Sequence, residues 1–268
     1  MKTLIRYVLN HLSRKHIHQI IHWFTPLFCL MYAGRKVQCP ICRRRFRRFM
    51  PYGYQYSRTN SLCPNCLSLE RHRLMWLFLR NETDFFEKKL RLLHIAPEPC
   101  FMPLLEKQLG DHYLTADLES PLAKMKMDIQ QIPLGDNEID LIFCNHILEH
   151  VENDRLAMQE MFRVMRPGGW GIMLSPVVPG KKETYEDPSL TTWEQRQKAY
   201  GQGDHLREYG EDYVDRLSEA GFETEAIDYA KRFSDKEVAV FGLCHEKIYR
   251  VKKLRNDPLR GRDYVQFS

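Results

Sequence analysis

Two groups of residues in this 268-residue chain have the types and spacing to do chemistry. Cys39-Pro40-Ile41-Cys42 and Cys63-Pro64-Asn65-Cys66 are CxxC pairs separated by twenty residues. Each pair can present two thiolates from one tight turn. Two such turns complete a tetrahedral four-cysteine zinc site with no position open for catalysis. Disulfides are the alternative reading, but two CxxC pairs without a secretion signal suit a reducing compartment better. Cys29, Cys100, Cys144 and Cys244 show no ligand spacing and read as buried or incidental. The second group is Asn145-His146, Glu149-His150 and, further on, His205. A histidine titrating near neutrality can take a proton from an acceptor hydroxyl or amine, which makes His146 and His205 the catalytic candidates. Glu149 and His150 fall where a helix begins and can equally cap and pack.

Elements that position the second group can be read from periodicity. Ile139 to Cys144, apolar apart from Asp140, reads as the end of a buried strand. Leu156, Met158, Met161, Phe162 and Met165 then recur at three- and four-residue steps, a helical stripe. Pro167-Gly168-Gly169 should break that helix, and Trp170 to Leu174 start another strand. Strand, helix and strand form a βαβ unit of a parallel sheet, whose ligands lie outside the carboxyl ends of the strands. Upstream, the pattern predicts a helix from Ser68 to about Phe86, a strand over Arg91–Ile95, a helix over Pro103–Leu109 and a strand over Tyr113–Ala116. Asp117 stands at that last strand's end, where a carboxylate can accept both ribose hydroxyl hydrogens.

Asp128-Ile129-Gln130-Gln131-Ile132-Pro133-Leu134, then Asp136 and Ile139-Asp140-Leu141-Ile142, then His146-Ile147-Leu148-Glu149-His150-Val151 and Phe162-Arg163-Val164-Met165-Arg166-Pro167-Gly168-Gly169 come in this order over about fifty residues. In order and spacing they resemble the class I S-adenosylmethionine-dependent methyltransferases, type 11 in particular. A looser likeness runs from about Arg91 to Leu243 and includes His205-Leu206-Arg207-Glu208-Tyr209-Gly210. The resemblance implies an α/β fold: a doubly wound, mainly parallel seven-stranded Rossmann-like sheet, here with a small N-terminal zinc-binding module. It implies S-adenosylmethionine as cofactor, with Ala96 and Glu98 in the first turn, Asp117 and Leu118 at the ribose, Asp128 and Ile129 at the adenine. Asn145 and His146 come beside the methionine half. One departure is plain: the first turn reads Leu93-His94-Ile95-Ala96-Pro97-Glu98-Pro99-Cys100, with no glycine where the family's backbone approaches the cofactor. Glu98 is left to accept from the cofactor's amino group; otherwise the fold has become a non-enzymatic binding module.

Charge divides the chain. Residues 1–80 carry 15 Lys and Arg against one acid, Glu70, whereas the other 188 residues carry 25 basic and 34 acidic side chains. A basic front on an acidic body suggests modules with different partners. Residues 1–33 read as an amphipathic basic helix, of which 1–31 can lie on a membrane surface or pack on the body. They do not read as a signal peptide, and a cytoplasmic location, peripheral at most, is expected. Residues 34–80 make the four-cysteine, zinc-ribbon-like module and a linker helix, 81–246 the methyltransferase domain, and 247–268 a basic tail that can add an edge strand. Arg43 to Arg48, interleaved with Phe46 and Phe49 and followed by Tyr52, Tyr54 and Tyr56, can grip phosphates and stack bases, or be a solvated hairpin face. Val178 to Gly203 reads as a substrate-side insertion. His150, Arg207 and Tyr209 are then the substrate-binding candidates. The favoured acceptor is a small molecule, glycan or lipid-linked intermediate, methylated on oxygen or nitrogen. RNA, gripped by Arg43–Arg48, is the less favoured alternative.

Overall fold

The structure, a computed structural model, describes residues 14–53 and 57–255. Tyr54, Tyr56 and the first thirteen residues of the expected N-terminal helix lie outside them. Helix α1 (Arg14–Met31) leads into β1 (Ala33–Gln38), which pairs antiparallel with β2 (Arg45–Phe46); β3 (Met50–Tyr52) pairs with β4 (Arg58–Leu62). Helix α2 (Glu70–Glu82) follows. It is shorter than the expected Ser68–Phe86, because Thr83 turns extended and its hydroxyl bonds Leu79 O at 2.6 Å and the amide of Phe85 at 3.2 Å.

A seven-stranded, mostly parallel sheet is built from β5 (Leu92–Ile95), β6 (Tyr113–Asp117), β7 (Met125–Lys126), β8 (Ile139–Asn145), β9 (Met165–Leu174), β12 (Glu223–Ile227) and β13 (Ile248–Lys252). The remaining strands, β10 (Tyr185–Glu186) and β11 (Arg207–Glu208), form a separate antiparallel ribbon. Helices α3 (Met102–Leu109), α4 (Asp154–Val164), α5 (Trp193–Tyr200), α6 (Tyr213–Glu219) and α7 (Asp235–Phe241) complete the order.

Two compact units interleave along the chain. Among the described residues, one comprises 14–53, 57–89, 97–126 and 228–247; the other comprises 90–96, 127–227 and 248–255. Within the second unit the strand order is β12-β13-β9-β8-β5, with β5, β8 and β9 mutually parallel and β13 antiparallel to both its neighbours. Ile139 and the run from Leu141 to Asn145 are buried, as a strand covered on both faces requires. The basic tail is corrected here. Ile248, Tyr249 and Val251 are buried in an interior strand, and the edge belongs to β12.

Two local readings also change. Pro167-Gly168-Gly169 does not separate helix from strand: β9 begins at Met165 and runs through them. Gly168 takes φ +85° and its amide bonds Lys253 O at 2.6 Å, while a Cβ on Gly169 would meet Asp140 O at 2.9 Å. The register slips between Ile139 and Leu141 at this point, the mark of a bulge. In α4 the buried face is Ala157, Met158, Met161 and Val164, leaving Leu156 exposed. The helix starts at Asp154, capped by the Asn153 side chain accepting from Leu156 N at 3.0 Å, and this start sets its phase.

The first unit is pinned by Arg73, a fully buried guanidinium that the sequence did not single out. It donates to Ser61 O (2.9 Å), Ser68 O (2.7 Å), Phe241 O (2.7 Å) and Gly242 O (2.6 Å), and lies 4.1 Å from the centre of the Phe49 ring. Burial lowers its pKa, and the fork of carbonyls keeps the ion satisfied. Arg73→Met should lower stability by about 3 kcal/mol or more, because hydrogen bonds to a charged group are each worth about 1.5–3 kcal/mol. Arg73→Lys, without the planar fork, should recover less than half of that. Urea unfolding measures both, and a loss below about 1 kcal/mol in Arg73→Met would refute this role for the fork.

Candidate functional site

In the first unit the two CxxC turns are built alike. Cys39 N donates to Arg44 O (3.0 Å) and Arg43 N to Cys39 O (2.8 Å); Cys63 N donates to Ser68 O (2.9 Å) and Leu67 N to Cys63 O (3.0 Å). Arg43 and Leu67, each just after its second cysteine, take the left-handed conformation at φ +61° and +58°. The repeated turn brings the four thiols into one cluster, with Sγ–Sγ distances of 3.6 Å (Cys39–Cys66) and 3.7 Å (Cys42–Cys63). A tetrahedron of sulfurs at the zinc–sulfur bond length has an edge of about 3.8 Å, which these two distances match. The Ser68 hydroxyl lies 3.4 Å and 3.3 Å from the Cys39 and Cys66 sulfurs, a neighbour that sequence spacing does not reveal.

In the second unit the candidate residues collect at the carboxyl ends of β5 and β8. Ala96 follows β5 with φ +46°, and His146 follows β8 with φ +53°. Left-handed backbone costs an L-residue about 1–2 kcal/mol, so both corners hold strain of the kind that collects at functional sites. Ala96 thus adopts a conformation that glycine takes more readily. Asn145 is the buried last residue of β8. Asp128 is exposed and accepts from Gln130 N at 2.8 Å, with Gln130 Nε2 3.2 Å and 3.3 Å from its two oxygens. Ile129 beside it is buried.

Past the His146 corner, Leu148–His150 is a single 3-10 turn and not the first turn of α4. It buries the Glu149 carboxyl, 1% exposed. Ser175 Oγ donates to Glu149 Oε2 at 2.9 Å, and His146 Nδ1 lies 3.4 Å from Oε1. Burial alone would raise the Glu149 pKa, but the His146 hydrogen bond and the charge around it hold it below the usual range. His205 is buried against His150, ring centres 4.7 Å apart, and burial lowers its pKa. His146 and His150 are partly exposed. His146, Glu149, His150 and His205 therefore share one end of this unit, and Glu149 with Ser175 are partners the sequence reading had not assigned.

Arg207 and Tyr209, taken from sequence as substrate-binding, are buried and engaged. Arg207 donates to Leu148 O (2.7 Å), Val151 O (2.5 Å), Glu152 O (2.9 Å) and Glu186 Oε1 (2.7 Å). Tyr209 OH donates to Asp154 Oδ2 at 2.7 Å. Both make framework contacts within this unit. The Val178–Gly203 insertion carries β10 and α5, the latter capped by Thr192.

Three cofactor candidates fall in the first unit. Asp117 ends β6, its Oδ1 accepting from Glu119 N (2.8 Å) and Ser120 N (2.7 Å), with Leu118 exposed beside it. Glu98 Oε1 lies 4.0 Å from His72 Nε2, and Glu98 O accepts from Phe101 N at the start of α3. Arg43, Arg44, Arg45, Arg47 and Arg48 are exposed, whereas Phe46 and Phe49 are core residues at 2% and 0% exposure. The phenylalanines expected to stack bases are thus unavailable for it. Trp23, Phe24, Leu27 and Leu30 of α1 are exposed, and among the described residues no helix is long and apolar enough to cross a membrane.

Residues 102–173 match the family model of a methyltransferase domain. Malonyl-[acyl-carrier protein] O-methyltransferase of Enterobacter lignolyticus (strain SCF1) is 33% identical over 63 residues, which are 24% of this chain and 21% of that protein. The Serratia marcescens protein of the same name is 28% identical over 108 residues, 40% of this chain and 36% of that one. The chain thus spans only about a fifth to a third of these relatives' length. Among solved structures, Burkholderia thailandensis 1,6-didemethyltoxoflavin-N1-methyltransferase, with S-adenosylhomocysteine bound, is similar over 69% of this chain and 78% of that one. Its identity is 13% and its TM-score 0.44.

The corner after β5 supplies a direct check. Ala96→Gly should leave stability unchanged or raise it by up to about 1 kcal/mol, since relief of left-handed strain offsets the added unfolded-state entropy. Ala96→Val, β-branched at positive φ, should cost more than about 1 kcal/mol. Urea midpoints at constant m-value test both, and a clearly destabilised Ala96→Gly would contradict the φ value.

Proposed function

We propose that this chain is an S-adenosylmethionine-dependent methyltransferase acting on an oxygen or nitrogen of a small-molecule, glycan or lipid-linked acceptor. The observation that carries the reading is the left-handed Ala96 corner: the first turn lacks glycine yet holds a positive φ, which glycine favours. The methyltransferase-domain match over residues 102–173 supports it independently. The two curated relatives, O-methyltransferases of a carrier-bound malonyl group, favour an oxygen acceptor over a short stretch of sequence.

In this proposal the Asp117 carboxylate accepts from the ribose hydroxyls, steadied by the two turn amides that already hold it. Leu118 covers the adenosine beside it. Asp128 accepts from the adenine amine, with the Gln130 amide giving way, and Ile129 forms the floor under the ring. Glu98 accepts from the cofactor's amino group. When bound, the cofactor supplies a methyl made electrophilic by its sulfonium. Asn145 and His146 then orient the acceptor in line with that methyl, which is where positioning lowers the barrier. His146 takes the acceptor's proton, with Glu149 oriented to stabilise the resulting imidazolium. The four cysteines hold a structural zinc ion.

Calorimetric titration of the zinc-loaded protein with S-adenosylhomocysteine tests the reading. Micromolar affinity is expected, with a loss of about tenfold or more in Asp117→Ala and in Asp128→Ala, as removing a hydrogen-bonded carboxylate partner implies. No binding by a protein shown to be folded would overturn it.

A further inference from the structure

Outside the cysteine cluster, one other group of metal-ligating side chains converges among the described residues. Glu149, His150 and His205 each offer a ligand atom, and these atoms all lie within 4.8 Å of one another. Two are neighbours on the turn after β8; the third comes from a segment more than fifty residues later. Ligands on one side of a shared ion, at bonds of about 2.0–2.2 Å, stand about 2.8–3.6 Å apart, so these donors would close on an ion by side-chain torsion.

We propose that Glu149, His150 and His205 form a second metal site, for a divalent first-row transition ion. Two imidazoles and one carboxylate gathered on one side are the donor set such ions take while keeping positions open for another ligand.

Three further observations support a built site. His150 Nδ1 lies 3.1 Å from the carbonyl oxygen of Asp204, which can only accept. The Nδ1–H must therefore donate, and the ring's free lone pair sits on Nε2, the arrangement that orients metal-binding histidines. Glu149 is oriented in turn by Ser175, whose hydroxyl bonds Oε2 at 2.9 Å. Finally, the His205 segment is clamped to the Glu149 turn. Leu206 N donates to Glu149 O at 2.8 Å, and Arg207 forks onto the carbonyls of Leu148, Val151 and Glu152. Buried Arg207 is thus a positioning residue that sets His205 against the other two ligands.

The site's ion-binding stands on this geometry, while its use rests on the methyltransferase reading: an ion with open positions beside His146 would bind and orient an oxygen acceptor. The test needs neither cofactor nor turnover. Full-length zinc-loaded protein is dialysed to equilibrium against cobalt(II), and both metals are counted by elemental analysis. One cobalt per chain is expected above an unchanged zinc count. Its visible bands should lack thiolate charge transfer. His150→Ala and His205→Ala should each weaken cobalt binding by about tenfold or more without releasing zinc. His112→Ala, exposed and remote in sequence, should change neither metal. His150 is partly exposed, so its variant reports on ligation even if His205→Ala proves unstable. Absence of cobalt binding, or full binding retained in His150→Ala, would overturn the proposal. Either result leaves the affinity for S-adenosylhomocysteine as a separate question.

Discussion

A buried, charged carboxyl organises the second unit. Taking Glu149 out of water is costly unless its oxygens find partners, so the chain around it must supply them. Ser175, just past the end of β9, donates to one oxygen, and His146 faces the other. His146 reaches that place only by turning left-handed directly after β8, and its amide continues the ladder to Leu174 O at 2.8 Å. The turn carrying Glu149 is fixed from outside by Arg207, whose fork satisfies three of its carbonyls. One ion therefore accounts for the strained corner, the buried arginine and the two histidines gathered nearby.

The first unit follows the same logic with a cation at its centre. Arg73 is buried among four carbonyl oxygens, two of them at Ser61 and Ser68, beside the second cysteine turn, and two at the end of α7. The cysteine turns repeat one backbone pattern twice, and Ser68 touches two of the sulfurs. A module this short has little apolar core of its own, and a cluster of four thiols closed by a metal is the usual remedy.

Much of this was legible in sequence where the signal is local. The apolar run at Ile139–Cys144, the CxxC spacing and the acid at Asp117 each announce an element or a strand end within a few residues. What was misread depends on partners far along the chain. Ile248–Val251 looked like a tail because nothing nearby reveals that β9 and β12 flank it. The carbonyl partners of Arg207 lie more than fifty residues away, beyond the reach of a local reading. Phe46 and Phe49 alternate with arginines as a base-stacking platform would, yet a small hairpin must bury them to have a core at all. The backbone at the glycine-less turn after β5 was not legible either, because Ala96 gives no sequence signal of the positive φ it adopts.

The most direct test is a crystal structure of the protein with S-adenosylhomocysteine bound. The account predicts the ligand at the carboxyl ends of the strands, its ribose on Asp117, its adenine on Asp128 and Ile129, and its sulfur facing Asn145 and His146. A ligand bound elsewhere, or bound there with Asp117 and Asp128 making no contact, would contradict it.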